Sequence, residues 1–261
     1  MRFIYSEGSN NYSNYLFPYQ VLLLKEESDL INNIYEKGFL PVRSIKNLFY
    51  LARSCRVNLE KFRLSSENRR ILRKNQNVKL EIIPLAKFDV NKRENREIID
   101  IFTKRKFLSK QFTHYGIRRI FLDNGNYNFV IGFVKDNKKI GLVAICLDES
   151  IIHYAHPFYR ENRLGMLMMT RIVDWAKNNQ KKYVYLGTCY GKNSLYKVQF
   201  EGFEFFDGIS WSGDLEKLKY LVENDSQAKS SHLFQDSTYL KKFYAEDKLG
   251  RLIKKLQNEK S

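Results

Sequence analysis

Ser65 and Ser66, followed by Arg69, Arg70, Arg73 and Lys74, combine two features that grip phosphate. A serine hydroxyl caps a helix start whose other N–H groups point outward, and arginines three and four residues apart share a helical face. Arg56 stands just before them. There Val57, Leu59 and Phe62 alternate with Arg56, Asn58 and Glu60, the period of a half-buried strand over 56–62. The plain alternative is a basic helix face that only meets water.

The charge map favours a ligand. Between Lys37 and Arg118 stand 21 Lys and Arg against 7 Asp and Glu, a net +14 out of the formal +16 of the whole chain. A single-sign field concentrated in this way gathers a polyanion, with nucleic acid the leading partner and an anionic membrane surface its rival. The 261 residues, 43% hydrophobic and 15% aromatic, are enough to bury a core in one large or two small domains. No apolar run approaches the ~18 residues of a membrane span, and polar residues break the start too early for a secretory signal, so a cytoplasmic location is expected. Cys55, Cys146 and Cys189 read as isolated thiols without a C-x-x-C pair, which supports neither a disulfide framework nor a metal site.

These residues have to be positioned by a recognisable order of elements. A helix is expected over 27–37, with Gly38 ending it, then a short strand at Leu48–Leu51, the 56–62 strand and the basic helix, closing a first subdomain over 1–77. Strands follow at 78–83, 129–134, 140–147 and 151–157, with helices at 92–105 and around Lys110. The two middle strands form a hairpin about Asp136-Asn137. A helix over 164–178, a strand over 183–186, a helix over 194–200 and a strand over 203–209 complete a second domain over 78–211. Residues 212–261 read as a helical tail in which 10 basic residues nearly cancel 8 acidic ones. Antiparallel strands followed by a strand, helix, strand crossover predict an α/β (α+β) fold of acyltransferase type, a GNAT-like mixed sheet flanked by helices that splays between its fourth and fifth strands. The turn Arg160-Glu161-Asn162-Arg163-Leu164-Gly165 then leads into a helix N-terminus able to hold a phosphate beside Arg163, although its single Gly165 is a poor coenzyme A signature and a lone glycine before a helix more often serves packing.

The chain resembles the aminoacyl-tRNA–protein transferases, arginyl and leucyl, over about residues 15–211. One block of similarity runs from Gly38-Phe39 through Arg56-Val57 and Phe62-Arg63 to Ser65 and Arg69-Arg70. A second runs from Pro157 through Arg163-Leu164-Gly165, Trp175-Ala176, Tyr185-Leu186-Gly187, Tyr196-Lys197 and Phe200 to Asp207-Gly208 and Trp211. The resemblance implies transfer of Arg or Leu from charged tRNA to the N-terminal α-amine of acceptor proteins with acidic first residues, as in N-degron pathways, with no cofactor required. It implies ligand contacts for Tyr185, Tyr196 and Lys197, although Tyr185 can also fill the core. Asp207 would bind an α-ammonium or cap a turn. Arg56, Arg69, Arg70, Arg73 and Lys74 would meet tRNA or an acidic acceptor residue.

The chain departs from the family in three places. The cysteines that some members bind to zinc or an iron–sulfur cluster are absent apart from Cys55. His156-Pro157 stands where Asp-Pro is usual, and the loop between Gly187 and Tyr196 is about two residues shorter. His156 reads either as a base for the α-amine, with an imidazole that ordinarily ionises near about 6.5, or as a surface histidine. The alternatives to the transferase are a coenzyme A-dependent acetyltransferase of the same architecture and a non-catalytic tRNA-binding relative.

Overall fold

Alternating and continuous apolar runs fold into two sheets and seven α-helices in a computed structural model that describes residues 1–7, 19–43, 45–106, 117, 119–121, 125–225 and 233–259. The expected helix around Lys110 lies outside the described residues. By contact density the chain divides into two units, Met1–Ile4 with Val21–Gly213, and Tyr5–Gln20 with Asp214–Ser261.

The strands are β1 (Arg2–Glu7), β2 (Tyr19–Leu24), β3 (Phe39–Pro41), β4 (Leu48–Leu51), β5 (Ser54–Asn58), β6 (Lys79–Pro84), β7 (Phe129–Lys135), β8 (Lys138–Leu147), β9 (Ile151–Tyr159), β10 (Tyr183–Thr188), β11 (Phe203–Phe206) and β12 (Trp211–Ser212). The helices are α1 (Ile31–Glu36), α2 (Ser66–Lys74), α3 (Arg93–Lys106), α4 (Leu164–Asn178), α5 (Leu215–Asn224), α6 (Ser237–Tyr244) and α7 (Leu249–Asn258). The smaller sheet has the order β1-β2-β4-β3, and the larger has eight strands in the order β12-β11-β5-β10-β9-β8-β7-β6.

The larger sheet is the mixed, GNAT-like sheet that the sequence predicts. Strands β6 to β9 pair antiparallel, α4 crosses over, and β10 returns parallel to β9. Asp136 and Asn137 both take positive φ, 49° and 59°, as a tight two-residue hairpin between β7 and β8 demands. β8 is buried almost throughout because both faces of the sheet are covered. Leu142 and Ala144 share a core with Ile98, Ile99 and Phe102 of α3. From the next phase of the pleat, Gly141 lies so close to Met168 of α4 that a Cβ there would stand 2.7 Å from its sulfur.

β5 corrects the reading of 56–62 as a half-buried strand. It starts two residues earlier and lies between β10 and β11, so Cys55, Arg56 and Val57 are all buried and no face meets water. The residues after Asn58 form a turn that leads into α2. The expected 27–37 helix is likewise shorter, Ile31–Glu36, and the expected 194–200 helix is a 3-10 helix over Lys192–Gln199. Gly38 does terminate α1. Its φ of 83° suits glycine, and an added Cβ would run into the Phe206 ring at 2.4 Å.

Burial of Arg56 inside a sheet requires compensation, and the surroundings supply it. The guanidinium lies 3.8 Å from the Tyr183 ring centroid and 4.0 Å from that of Trp211. Its Nε donates to Glu204 at 2.9 Å, and its Nη1 donates to Glu36 at 2.7 Å and to the Tyr185 hydroxyl at 3.3 Å. Burial opposes ionisation of Glu204, but hydrogen bonds from Lys61 and Arg56 outweigh it and hold the carboxyl below its ordinary range. One cation therefore ties β5, β10, β11, β12 and α1.

The second unit contains α5, α6 and α7. Leu218, Leu221, Val222, Tyr239, Leu240 and Leu252 are buried, which agrees with the helical spacing read in the tail. Lys217 crosses the Tyr244 ring at 3.9 Å and donates to its hydroxyl at 2.6 Å.

Arg56→Met should destabilise the protein by about 3 kcal/mol, because it strands a buried carboxylate. Lys61→Ala, whose side chain is 65% exposed, removes the other cationic partner of Glu204 and should cost under about 1 kcal/mol. Urea unfolding of the two variants checks the ranking, and equal losses would count against Arg56 as the anchor.

Candidate active site

β9 and β10 pair for only three residues, Tyr183 with Ile151, Val184 with Ile152 and Tyr185 with His153. β9 then continues to Tyr159 along β8 while β10 continues to Thr188 along β5. Where the two strands part, a cavity of about 570 Å³ opens. Its walls include Ala155 and His156 from β9, Leu186, Gly187 and Thr188 from β10, Arg43 and Tyr127. Lys197 of the 3-10 helix also lines it, buried, with its Nζ 2.7 Å from the Thr188 carbonyl oxygen.

A bulge decides which side chains face this opening. His156 pairs with Ala144 and Tyr154 with Ile145, so Ala155 is an extra residue on β9. The extra residue brings His153 and His156 into phase, and both line the cavity. Sequence reasoning passed over His153, because in a regular strand an odd separation puts two residues on opposite faces. The Tyr35 hydroxyl lies 2.9 Å from His153 Nδ1, and the Tyr127 hydroxyl lies 2.9 Å from His156 Nε2.

Both imidazoles are neutral at neutral pH. Burial, followed by the charges of His156 and Lys197, pushes His153 down to about 3, and burial, with Arg43 adding to it, pushes His156 to about 3. His156 is half-buried rather than exposed, and an imidazole so weakly basic is a poor proton acceptor for an α-ammonium. What it offers is a fixed polar contact. The cavity lining carries two cations, Arg43 and Lys197, and no carboxylate among the described residues.

The other sequence-selected residues fall into two groups. Arg70, Lys74 and Arg163 come together around a second cavity of about 510 Å³, joined by Lys135 and by the carboxylates Glu67 and Glu161. α2 begins as read, with Ser65 as its N-cap in a reciprocal box with Asn68, and Arg69, Arg70, Arg73 and Lys74 are exposed. Arg70 forms an exposed pair with Glu67, and Arg69 donates to the Leu64 carbonyl. Arg163 occupies the N-cap of α4, which has no side-chain cap and no acidic residue in its first turn. Its N–H groups and the nearby cations form an anion-attracting corner. Gly165 has a packing role, since a Cβ there would meet the Tyr159 hydroxyl at 3.0 Å and its ring at 3.1–3.2 Å.

Three candidates are held elsewhere. Arg56 is buried in the network described above, and so cannot reach a polyanion at the surface. Tyr185 is fully buried, packed against Tyr35 and Trp211, and is not brought to the cavity. Asp207 accepts from the backbone N–H groups of Ile209 and Ser210, both at 2.9 Å, which is the turn-capping alternative. Tyr196 is half exposed, beside Lys197, whose Nζ stands 5.9 Å from its ring centroid.

Cys55 and Cys189 are not isolated, because β5–β10 pairing brings them together. Cys55 donates to the Gly187 carbonyl at 3.3 Å. The neighbouring Cys55 thiol leads the influences that, against burial, lower the Cys189 thiol to about 6, followed by Ser194, Lys197 and Arg53. Among the described residues no three His, Cys, Asp or Glu side chains gather as a metal site, and no described helix is long and apolar enough to cross a membrane.

A histidine whose folded pKa lies below its unfolded value stabilises the fold above about 6.5 and loses that contribution as the pH falls toward the folded value. His153 and His156 should each withdraw about 2 kcal/mol between pH 7 and pH 5. Urea titrations at the two pH values should show that loss reduced in His153→Gln and again in His156→Gln. A loss unchanged in both variants would refute the neutral pair.

No protein-family model matches the sequence, and no curated protein matches it. Among solved structures the chain is similar to the C-terminal domain of a protein described as a lysylphosphatidylglycerol synthetase from Agrobacterium fabrum, with 13% identity over 61% of this chain and 51% of that one, at a TM-score of 0.41. It is also similar to L-PGS from Bacillus licheniformis, with 12% identity over 64% of this chain and 54% of that one, at a TM-score of 0.42. A glucosamine N-acetyltransferase region of a fungal multi-domain β-N-acetylglucosaminidase matches at 10% identity over 77% of this chain and 24% of that one, with a TM-score of 0.37. The chain thus spans about half the length of the first two, and with likenesses this loose the fold is defined by its own sheet order.

Proposed function

We propose that the protein is an aminoacyltransferase that takes an aminoacyl group from tRNA and passes it to the α-amine of an acceptor with an acidic first residue. The observation that carries this reading is the opening between β9 and β10, whose described lining holds two cations, two neutral imidazoles and no carboxylate. An acceptor carboxylate is drawn to Arg43 and Lys197. The α-amine, with an ordinary pKa of about 8, already supplies a neutral fraction near pH 7, so a strong base in the cleft is not required.

In the reaction the amine nitrogen attacks the ester carbonyl of the aminoacyl-tRNA. The Lys197 ammonium stabilises the developing oxyanion, the ester C–O bond breaks, and the ribose hydroxyl leaves with the proton given up by the amine. His153 and His156, held by Tyr35 and Tyr127, orient the polar groups of the acceptor. The tRNA phosphates lie against the corner formed by Arg70, Lys74, Lys135 and Arg163, within the basic field of residues 37–118.

Transfer of radiolabelled amino acids from charged tRNA to peptides beginning with Asp or Glu, with Ala-initiated peptides as control, tests the reaction. Transfer to the acidic set upholds it. Tight tRNA binding without transfer points to a binding protein, and a rise in Tm with acetyl-coenzyme A to an acetyltransferase.

Two sets of variants separate the roles. Arg70→Ala with Arg163→Ala should weaken tRNA binding and lower the slope of log affinity against log salt by about 2. Lys197→Met should abolish transfer while tRNA affinity is kept. Full transfer in Lys197→Met removes the ammonium from the mechanism.

A further inference from the structure

Cys55 of β5 and Cys189, which follows β10, come side by side through strand pairing. Tyr185 stands opposite Arg56 but Thr188 stands opposite Ser54, so β10 carries one extra residue between the two pairs. After this bulge Cys55 faces Gly187 across the ladder, and Cys189, two residues further on, shares its face of the sheet. The Cys55 thiol donates to the Gly187 carbonyl at 3.3 Å, and the Cys189 sulfur lies 3.4 Å from Ser194 Oγ. The two thiols also interact directly, and both are buried. The third cysteine, Cys146 of β8, is paired instead with Tyr35.

The two thiols are chemically unequal. Burial leads the influences that keep Cys55 protonated. Cys189 has Ser194, Lys197 and Arg53 around it as well as Cys55, and with a pKa of about 6 it is mostly thiolate at neutral pH. A thiolate that can attack, next to a thiol that can resolve, is the arrangement of peroxide-sensitive cysteine pairs. The route to it is short for a small molecule. Thr188, the residue before Cys189, and Lys197 both line the cleft of about 570 Å³.

We propose that Cys55 and Cys189 form a modification site at which a small hydroperoxide drives an intrachain disulfide. The Cys189 sulfur first attacks an oxygen of the hydroperoxide. An S–O bond forms, the O–O bond breaks, and the departing hydroxide or alkoxide takes up a proton. The Cys55 sulfur then attacks the Cys189 sulfenic acid. The S–S bond forms, the S–O bond breaks, and the hydroxide leaves as water with the proton of Cys55. The pair gives up two electrons, and the hydroperoxide is reduced by them. Oxidation removes the thiolate beside Lys197 and ties the end of β10 to β5, next to the Thr188 carbonyl that holds Lys197. The inference stands apart from the transferase reading, and either can fail without the other.

The reduced full chain, treated with hydrogen peroxide and then unfolded in iodoacetamide, tests the site by peptide mass spectrometry. The expected map shows a Cys55–Cys189 crosslink and an alkylated Cys146, and a reductant restores all three thiols. Three alkylated thiols at a dose that oxidises free cysteine would overturn the proposal. So would a crosslink to Cys146, or a Cys189 sulfinic acid without any crosslink. Cys55→Ser should stop the reaction at a Cys189 sulfenic acid, captured by dimedone on unfolding, whereas Cys189→Ser should leave Cys55 reduced. Undiminished oxidation of Cys55 in Cys189→Ser removes Cys189 as the attacking sulfur. The map of the unsubstituted chain decides for or against the disulfide even where a variant fails to fold.

Discussion

The structure depends on a positive charge kept inside a sheet. A guanidinium at the Arg56 position has lost most of its water, a cost of several kcal/mol. Two carboxylates, two aromatic faces and a phenolic oxygen offset it. These partners come from four elements besides its own strand, so the cation fixes where each must stand. Trp211 is held by the same arrangement, its indole N–H donating to the Glu36 carbonyl at 2.7 Å. With β10 fastened to β5 on that side, it can leave β9 after three residue pairs without losing its place in the sheet.

That parting creates a problem and a use. Two strands that separate inside a sheet leave backbone groups and side chains facing a gap, and here the gap is polar. The β9 bulge turns two histidines toward it, Lys197 caps the Thr188 carbonyl, and Arg43 approaches from the loop after β3. Burial holds both imidazoles neutral, which is the state compatible with two cations in the same space. A charged imidazole there would add a third positive group to a lining whose described residues include no carboxylate. The electrostatics of the cleft are therefore tuned for anionic or electron-rich guests, and its histidines act as fixed dipoles.

The legible parts of the sequence were those whose periodicity reports burial directly. Leu48–Leu51 and Leu164–Asn178 form where the pattern places them, and the β7–β8 hairpin forms at Asp136-Asn137. Ser65 caps α2 as its position before the arginines implies. The failures share one cause, which is tertiary context that periodicity does not carry. Arg56 read as a solvent-facing charge because a lone sequence gives no sign that strands lie on both sides of β5. His153 was invisible because one inserted residue reverses the phase of a strand. Cys55 and Cys189 looked solitary since 134 positions of chain separate residues that strand pairing joins.

The two cationic sites also lie where the topology makes ligand binding easiest. β9 and β10 are parallel neighbours, and their carboxyl ends diverge. The chain leaves β9 at Tyr159 and enters α4 at Leu164, so the uncapped N-terminus of α4 lies just beyond the strand end that opens the cleft. Diverging carboxyl ends next to a helix N-terminus are the recurrent ligand position of open α/β sheets. In this chain α2 packs beside α4 and adds Arg70 and Lys74 to that corner. A phosphate-bearing donor held there can present its reactive end to the opening only a few residues of chain away. On the proposed reaction, an acceptor drawn by Arg43 and Lys197 would meet it in the cleft, and positioning two reactants would account for most of the chemistry required.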